Sequence, residues 1–225
     1  MFTNLETYQS RFWLKEESLK KIGKSSSGFL LELFSRVDAL VDQDLVYYDH
    51  QMDMETCFEK YSFHEFKWHQ TPNGDMEWVF MLNRQGYLVD LAMAFYLTKE
   101  EKYLKKWKEI VFDFILENEE EISHPEASWR VLDAGIRLMN WVKSLTYLPL
   151  SEFSEVERKQ IQEAMILHAN YIRTHLQEKH LLSNWGVLAV SGVLSFVYFS
   201  NEQPELYLWA KETLLKQASL QFTKK

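Results

Sequence analysis

The sequence predicts an all-α fold in which antiparallel helical hairpins form an inner and an outer layer. Apolar residues recur at intervals of three and four along most of the chain, which is the periodicity of a helix with one buried face. Only 7 glycines and 4 prolines occur in 225 residues, too few for the tight turns of an all-β protein. The connections between predicted helices are short, so successive helices should pack antiparallel.

The apolar spacing and the residues that interrupt it set the predicted helices. Their approximate ranges are 4–22, 27–43, 75–97, 100–118, 128–146, 152–177, 184–199 and 204–222. The turn-forming residues 71–75 end in Asp75, a predicted N-cap. Thr98 is predicted to cap the next helix in a capping box with Glu101.

Prolines and serines delimit the later helices. Ser123-His124-Pro125 should end one helix, and either Ser151 or Ser154 should begin another after Pro149. The turn 201–204 leads into the last helix. Residues 186–199 are apolar nearly all round, which predicts burial on every side, whereas 100–118 and 152–177 are amphipathic.

Composition excludes several classes of protein. With 46% hydrophobic and 26% charged residues, the chain should fold as one helical domain over residues 1–225. A net charge of −8 argues against a nucleic-acid partner. A single cysteine, Cys57, excludes a disulfide framework and a zinc site built on several thiolates.

No apolar run is long enough to span a membrane, and no signal peptide is visible. The expected location is therefore the cytoplasm. If an upstream leader has been removed, the protein is instead expected to be secreted or periplasmic. His64 and His69 resemble a zinc motif, but they are five residues apart and one helix face needs four. No metal site is predicted. The glycine-rich phosphate loops and the nucleophilic serine elbow are absent too.

Three clusters combine tryptophan, amide and charged side chains near predicted helix starts. Tryptophan faces stack on sugar rings, and arginine forks match carboxylates and sulfates, so the clusters indicate a cleft for an acidic carbohydrate. The predicted binding residues are Trp68, His69, Glu77, Trp78, Asn83, Arg84, Trp129, Arg137, Asn140 and Trp185. Ser128, Arg130 and Trp141 belong to the second cluster, and the third is Ser183-Asn184-Trp185-Gly186.

Structural roles compete with these functional ones. Trp78 and Trp141 lie on apolar stripes that favour the core, and His168 should be a hydrogen-bonded packing residue. The three arginines of the first two clusters could pair with Glu77, Asp90 or Asp133. From spacing alone, Asn184 is predicted to be a helix N-cap.

The clusters, in this order, resemble the N-terminal helical domain of the heparinase II/III-like polysaccharide lyases. The resemblance covers about residues 60–225, whereas 1–59 add helices without a matching motif. It is carried by the segments "KWHQTPNGDMEWVFMLNRQGYLVDLAMAFYLTKEEKY", "SWRVLDAGIRLMNW" and "HLLSNWGVLAVSGVL".

The resemblance implies an incomplete α/α toroid followed by a β-sandwich domain, in an enzyme that cleaves uronic-acid-containing polysaccharides by β-elimination. Asn184 resembles the family asparagine that binds the uronate carboxylate and makes the C5 proton more acidic. The family tyrosine and histidine that transfer protons match no residue here and are expected beyond Lys225. The isolated chain is therefore expected to be inactive, and no cofactor is expected in this region.

Some features depart from the family and leave other functions open. Where many relatives have polar residues after the asparagine, this chain has Ala189, Val190 and Ser191. A non-catalytic carbohydrate-binding or scaffolding domain is the alternative, and a glycoside hydrolase with two facing carboxylates is a third possibility. An open toroid edge also predicts self-association of the chain.

Overall fold

A computed structural model describes residues 27–47, 59–63, 67–118, 122, 124–200 and 202–222. The predicted helix 4–22, Cys57, His64 and the predicted stop at Ser123 lie outside the described residues. The described part of the chain is almost entirely helical, as the sequence predicts.

The described chain contains ten α-helices, a short 3-10 turn and a two-stranded hairpin. They are α1 Ser27–Gln43, β1 Leu45–Val46, β2 Tyr61–Ser62, α2 Met76–Arg84, α3 Tyr87–Thr98, α4 Glu101–Glu117, α5 Pro125–Ser128, α6 Val131–Leu145, the 3-10 turn Leu150–Glu152, α7 Glu155–His175, α8 Glu178–Leu181, α9 Asn184–Ser200 and α10 Pro204–Gln221. The strands pair antiparallel. None of the described helices is both long and apolar enough to cross a membrane.

One predicted helix, 75–97, is in fact two. Gln85 has a left-handed backbone with φ 53°, and it separates α2 from α3. Its side chain is buried, and its Oε1 accepts a hydrogen bond of 2.6 Å from Nε1 of Trp141. The prediction of one continuous helix is wrong because a tertiary hydrogen bond, which local spacing does not encode, holds the break.

The predicted helix 128–146 begins three residues later than expected, and a separate short helix precedes it. The short α5 begins with Pro125 and ends at Ser128, and α6 begins at Val131. Trp129 and Arg130 lie between the two helices in non-helical conformations. This break directs both side chains toward neighbouring helices, where they contribute to the site described below.

Two predicted caps are confirmed. The side chain of Asp75 accepts a hydrogen bond of 2.9 Å from the Glu77 amide at the start of α2. Ser154 caps α7 in a capping box with Glu157, which decides between the two serines proposed from the sequence. Both caps satisfy amides that a helix N-terminus otherwise leaves unbonded.

The capping box predicted for Thr98 and Glu101 is wrong. Thr98 is the last residue of α3, and its hydroxyl donates to the carbonyl of Ala94 in the preceding turn. Lys99 then adopts a left-handed conformation with φ 63°, which makes Glu100 the N-cap of α4. A C-terminal turn of α3 therefore occupies the position where a cap was expected.

Helix α6 packs against α2, α3, α7 and α9 and is the centre of the fold. It crosses α9 at very short range, since a Cβ on Gly135 would lie 2.4 Å from the Cα of Ala189. The burial on every side expected for residues 186–199 is wrong at Leu188, which is 37% exposed, whereas Val190 and Phe196 are buried. Trp185, before that range, is 44% exposed.

Candidate functional site

The predicted binding residues divide into a buried set and an accessible set. The buried ones, each no more than 5% exposed, are Trp68, Trp78, Asn83, Trp129 and Arg137. The half-buried ones are His69, Glu77, Arg84 and Asn140, and the exposed ones are Asn184 and Trp185. In this structure a carbohydrate arriving from solvent can contact only the accessible set, so the buried set can act only by supporting it.

Arg137 is completely buried and connects three parts of the chain. Its Nη1 donates to the backbone carbonyls of Asn83, at 2.8 Å, and Ser128, at 2.9 Å. Its Nε donates to Nε2 of His168 at 2.7 Å, and its guanidinium lies 4.3 Å from the ring centre of Phe114. Arg137 thus fixes the ends of α2 and α5 against α7.

The expected pairing of Arg137 with a carboxylate is not found in the described part of the chain. Removal from water destabilises the charged guanidinium, which lowers the pKa of Arg137 to about 9. The positive charge is compensated by carbonyl dipoles and by aromatic faces, including the ring of Trp129 at 4.8 Å.

His168 is a hydrogen-bonded packing residue, as the sequence predicts. Its Nδ1 lies 2.7 Å from the carbonyl oxygen of Ala164, and its Nε2 accepts from Arg137. This pattern requires a neutral ring with the proton on Nδ1. Burial, with the charge of Arg137 second, holds the pKa of His168 well below its ordinary value.

Three further buried residues lie on α2 or in the loop before it. Nε1 of Trp68 donates to Oδ2 of Asp113 at 2.9 Å. The side-chain amide of Asn83 donates to the carbonyls of Trp68, at 2.6 Å, and Val79, at 2.9 Å. Trp78 is wholly buried, which confirms the core role favoured by its apolar stripe. These contacts fix the loop before α2 to the helix itself.

The accessible part of the site is organised by Asp133, whose side chain is fully buried. Its Oδ1 accepts from Nε of Arg84 at 2.8 Å, and its Oδ2 accepts from Nε of Arg130 at 2.5 Å. Arg84 also lies 3.9 Å from a carboxylate oxygen of Glu77. The structural alternative left open for these two arginines, pairing with acidic side chains, is therefore what the structure shows, and it joins α2 to the start of α6.

Arg130 links this cluster to α9. Its guanidinium carbon lies 3.1 Å from the ring centre of Phe80 on α2 and 5.4 Å from that of Trp185 on α9. Phe80 and Arg130 were not among the predicted binding residues. The spacing of Arg130 and Asp133, three residues apart at a helix start, was the available signal for the ion pair.

Asn184 begins α9, and its side chain is exposed. Its carboxamide makes no hydrogen bond with any residue that the structure describes. The N-cap role favoured by spacing alone is therefore wrong. The first backbone bond of the helix instead runs from the Val187 amide to the carbonyl of Ser183. The side-chain carboxamide of Asn184 is therefore available to bind a ligand.

The remaining predicted residues take separate positions. Asn140 donates to the carbonyl of Arg84 at 2.8 Å and so holds the end of α2. His69 stacks on His124 with ring centres 3.5 Å apart, and burial lowers the pKa of His69. Among the described residues, no group of three or more histidine, cysteine or acidic side chains is placed to hold a metal ion.

A separate pocket of about 180 Å³ lies between α4 and α7. Asn118, Trp129 and His168 contribute to its wall. Nε1 of Trp129 donates to Oδ1 of Asn118, and both ring nitrogens of His168 are also bonded within the protein. Of the residues predicted to bind carbohydrate, only Trp129 lines this pocket, and the accessible ones lie elsewhere.

Comparison with known proteins gives a family match and similar folds. The family model for the heparinase II/III N-terminus matches residues 17–221. The heparan sulfate lyase HepC from Pedobacter heparinus is similar in structure, with a TM-score of 0.70, 16% identity and coverage of 85% of this chain and 30% of that one. No curated protein sequence matches this chain.

A heparinase III, the BT4657 gene product, has a TM-score of 0.71 at 18% identity. The match covers 98% of this chain and 36% of that one. The chain thus spans about a third of the length of these structures. At such identities the likeness shows the shared helical fold.

Proposed function

Because the chain belongs to the family of heparinase II/III N-terminal domains, we propose that it is the N-terminal toroid portion of a polysaccharide lyase. The substrate would be a uronic-acid-containing polysaccharide, either heparan-sulfate-like or alginate-like, cleaved by β-elimination. The observation that carries the proposal is the exposed carboxamide of Asn184, unbonded within the described part of the chain, beside Trp185 and the arginine pair on Asp133.

In this proposal Asn184 donates a hydrogen bond to the uronate carboxylate. β-Elimination removes the proton at C5 and places negative charge on that carboxylate as an enolate-like intermediate forms. A donor aimed at the oxygen where charge develops lowers the barrier, because the interaction is stronger in the transition state than in the ground state. Asn184 can take this role without giving up an internal hydrogen bond.

The neighbouring side chains supply binding and orientation. Trp185, on the exposed first turn of α9, offers a face for a sugar ring. The arginines on Asp133 add positive charge to a chain with a net charge of −8. The buried residues Arg137 and Asn83 hold α2 and α5 in place through hydrogen bonds to backbone carbonyls, and they thereby fix the positions of the accessible residues.

We assign proton transfer to a tyrosine and a histidine in another part of the intact protein. The tyrosine and histidine that the family resemblance implies match none of these 225 residues. We therefore propose that this part binds and orients the substrate and that a further segment with a β-sandwich domain completes the enzyme. By itself the 225-residue chain should bind acidic oligosaccharide without cleaving it.

The test is production of an unsaturated uronate by the natural full-length protein. Heparan sulfate, hyaluronan, chondroitin and alginate would each be incubated with it, and absorbance in the ultraviolet followed. We expect product from at least one polymer, formed on the order of a hundredfold more slowly by the same protein carrying Asn184→Ala at equal concentration. Absence of product from every polymer would contradict the lyase assignment.

A non-catalytic carbohydrate-binding domain is the second candidate. It is favoured by the absence, among these 225 residues, of a match to the proton-transferring tyrosine and histidine. Saturable binding of uronate oligosaccharides by the natural full-length protein, with no turnover of any polymer, would select it over the lyase. A lack of affinity for all such oligosaccharides would exclude both.

A further inference from the structure

The two arginines that bind Asp133 are not equivalent. Arg84 directs Nη1 to the sulfur of Met81 at 2.8 Å and Nη2 toward Glu77 at 3.9 Å. Arg130 uses only Nε, and its two Nη groups make no hydrogen bond with any residue in the described part of the chain. Arg130 therefore presents an unused pair of donors, whereas Arg84 is engaged within the protein.

The free edge of Arg130 is held in a fixed orientation. The bond to Asp133 sets the direction of Nε, and the ring of Phe80, 3.1 Å from the guanidinium carbon, sets the plane. The side chain is 19% exposed, so a ligand can reach it from solvent. A planar guanidinium whose rotamer is already fixed loses little conformational entropy when it binds an anion through two parallel hydrogen bonds.

The distribution of local charge favours an anion at Arg130 rather than at Arg84. Arg84 and Arg130 carry two positive charges, and Asp133 and Glu77 carry two negative charges, so the four side chains sum to zero. Arg84 lies near both carboxylates, whereas Arg130 is paired with Asp133 alone. The cation that is least offset is therefore Arg130, whose guanidinium carbon lies 5.4 Å from the ring centre of Trp185.

We propose that Arg130 is a specificity-determining residue that binds a sulfate or carboxylate on the sugar next to the one whose carboxylate Asn184 holds. Trp185 follows Asn184 directly and lies against Arg130, so a sugar chain passing over Trp185 meets both residues. The inference rests on the proposed function, because it names the chemical group recognised at that same surface. Arg84 is a positioning residue that acts through Asp133.

The experiment is a calorimetric titration of the protein with two oligosaccharides of equal length, heparan sulfate and its chemically desulfated form, at one fixed salt concentration. Arg130→Gln should weaken binding of the sulfated oligosaccharide about tenfold, the effect of losing a bidentate charge-assisted contact. Arg130→Lys, which keeps the charge but not the fork, should weaken it about fivefold. Arg173→Gln, at an exposed arginine in the last turn of α7, is the matched control and should bind as the unsubstituted protein does.

The outcomes show whether Arg130 binds a sulfate or a carboxylate. A loss confined to the sulfated oligosaccharide identifies a sulfate site, and an equal loss with both identifies a carboxylate site. Undiminished binding by Arg130→Gln overturns the inference and leaves the proposed function intact. If circular dichroism shows that Arg130→Gln has lost helix, the lysine variant decides, and binding equal to that of the unsubstituted protein overturns the inference. Failure of the unsubstituted protein to bind either oligosaccharide overturns the proposed function as well.

Discussion

A Cβ atom placed on Gly192 would lie 2.2 Å from the carbonyl oxygen of Gly135. The two glycines bring the backbones of α6 and α9 into direct contact at the centre of the fold. This crossing determines where the first turn of α9, and with it Asn184, lies relative to the arginines on α2 and at the start of α6. The position of the candidate site therefore depends on two residues that contribute no side chain to it.

Gly135→Ala should destabilise the protein strongly. The added methyl would lie 2.4 Å from the Cα of Ala189, and a backbone cannot yield as a flexible side chain does. Overpacking of this kind costs about 1–3 kcal/mol and sometimes more, even after the gain in helix propensity. Urea unfolding measures the change. Gly28→Ala, where a Cβ meets nothing within 4 Å, is the control and should be neutral or slightly stabilising. Equal stability of the two variants would contradict the close crossing.

Asp133→Asn should also lower the free energy of unfolding, because two guanidinium groups lose their shared carboxylate. Removing one partner of a buried ion pair costs about 3–5 kcal/mol. Glu163→Gln is the matched control, since Glu163 pairs with Lys159 at an exposed position. Surface pairs contribute about 0–1 kcal/mol. A loss at Asp133 no larger than that at Glu163 would show that the arginine cluster does not depend on its carboxylate.

Acidification should destabilise the fold through His168. The folded protein holds this ring neutral, with its pKa well below 6.5, whereas the unfolded chain binds a proton as the pH falls through that value. The unfolded state then binds more protons, so stability present above pH 6.5 is lost toward lower pH, by up to about 1.4 kcal/mol per pH unit. Urea unfolding at about pH 7.5 and 5.5 measures the difference.

His168→Gln should reduce this pH dependence, because a glutamine can accept from Arg137 but does not titrate. His175→Gln, at an exposed histidine of the same helix, should leave it unchanged. An identical pH dependence in the His168 variant and the unsubstituted protein would exclude His168 as its source.

Asn184→Ala should lower kcat of the full-length enzyme on the order of a hundredfold, if Asn184 stabilises the charge that develops on the uronate. The thermal midpoint should not change, because the side chain is exposed and unbonded in the described part of the chain. Asn170→Ala, at an exposed asparagine on α7, is the control and should retain full activity. A fall in helix content with unchanged activity per folded molecule would instead restore the cap role.

Self-association of the 225-residue chain is expected from apolar side chains exposed on α10 and directly after it. Four large ones are at least half exposed, and exposed apolar surface promotes contact between molecules. They are Leu208, Leu215 and Leu220 on α10, and Phe222 after it. Light scattering should show species larger than a monomer, and Leu215→Glu should reduce them. A monomer at high concentration would contradict this expectation.

The helices were predictable because their apolar spacing is local information. The break at Gln85 was not, since glutamine is not a turn residue and its left-handed backbone is supported by Trp141, 56 residues away in the chain. Likewise, the hydrogen bond between Arg137 and His168 joins residues 31 positions apart, and no local sequence feature at either position indicates the other. Periodicity shows which face of a helix is buried but not which residues meet there.

The candidate site was predictable as a set of clusters but not as a geometry. Aromatic and charged residues near helix starts drew attention to Arg84 and Trp185, which are accessible in the structure. Sequence cannot show that the outer Nη groups of Arg130 are unbonded while those of Arg84 are engaged. It also favoured a cap for Asn184, because the residue type suits both roles and only the fold shows that Asn184 lies inside the first turn.

The residues of the candidate surface come from distant parts of the chain, which limits how the surface could be transferred to another protein. Arg84 and Asp133 are 49 residues apart, and Trp185 comes from a third region of the chain. A peptide carrying any one of these segments would possess the residues without their arrangement. A short motif therefore cannot reproduce the candidate surface, which another protein could acquire only together with the whole set of helices that supports it.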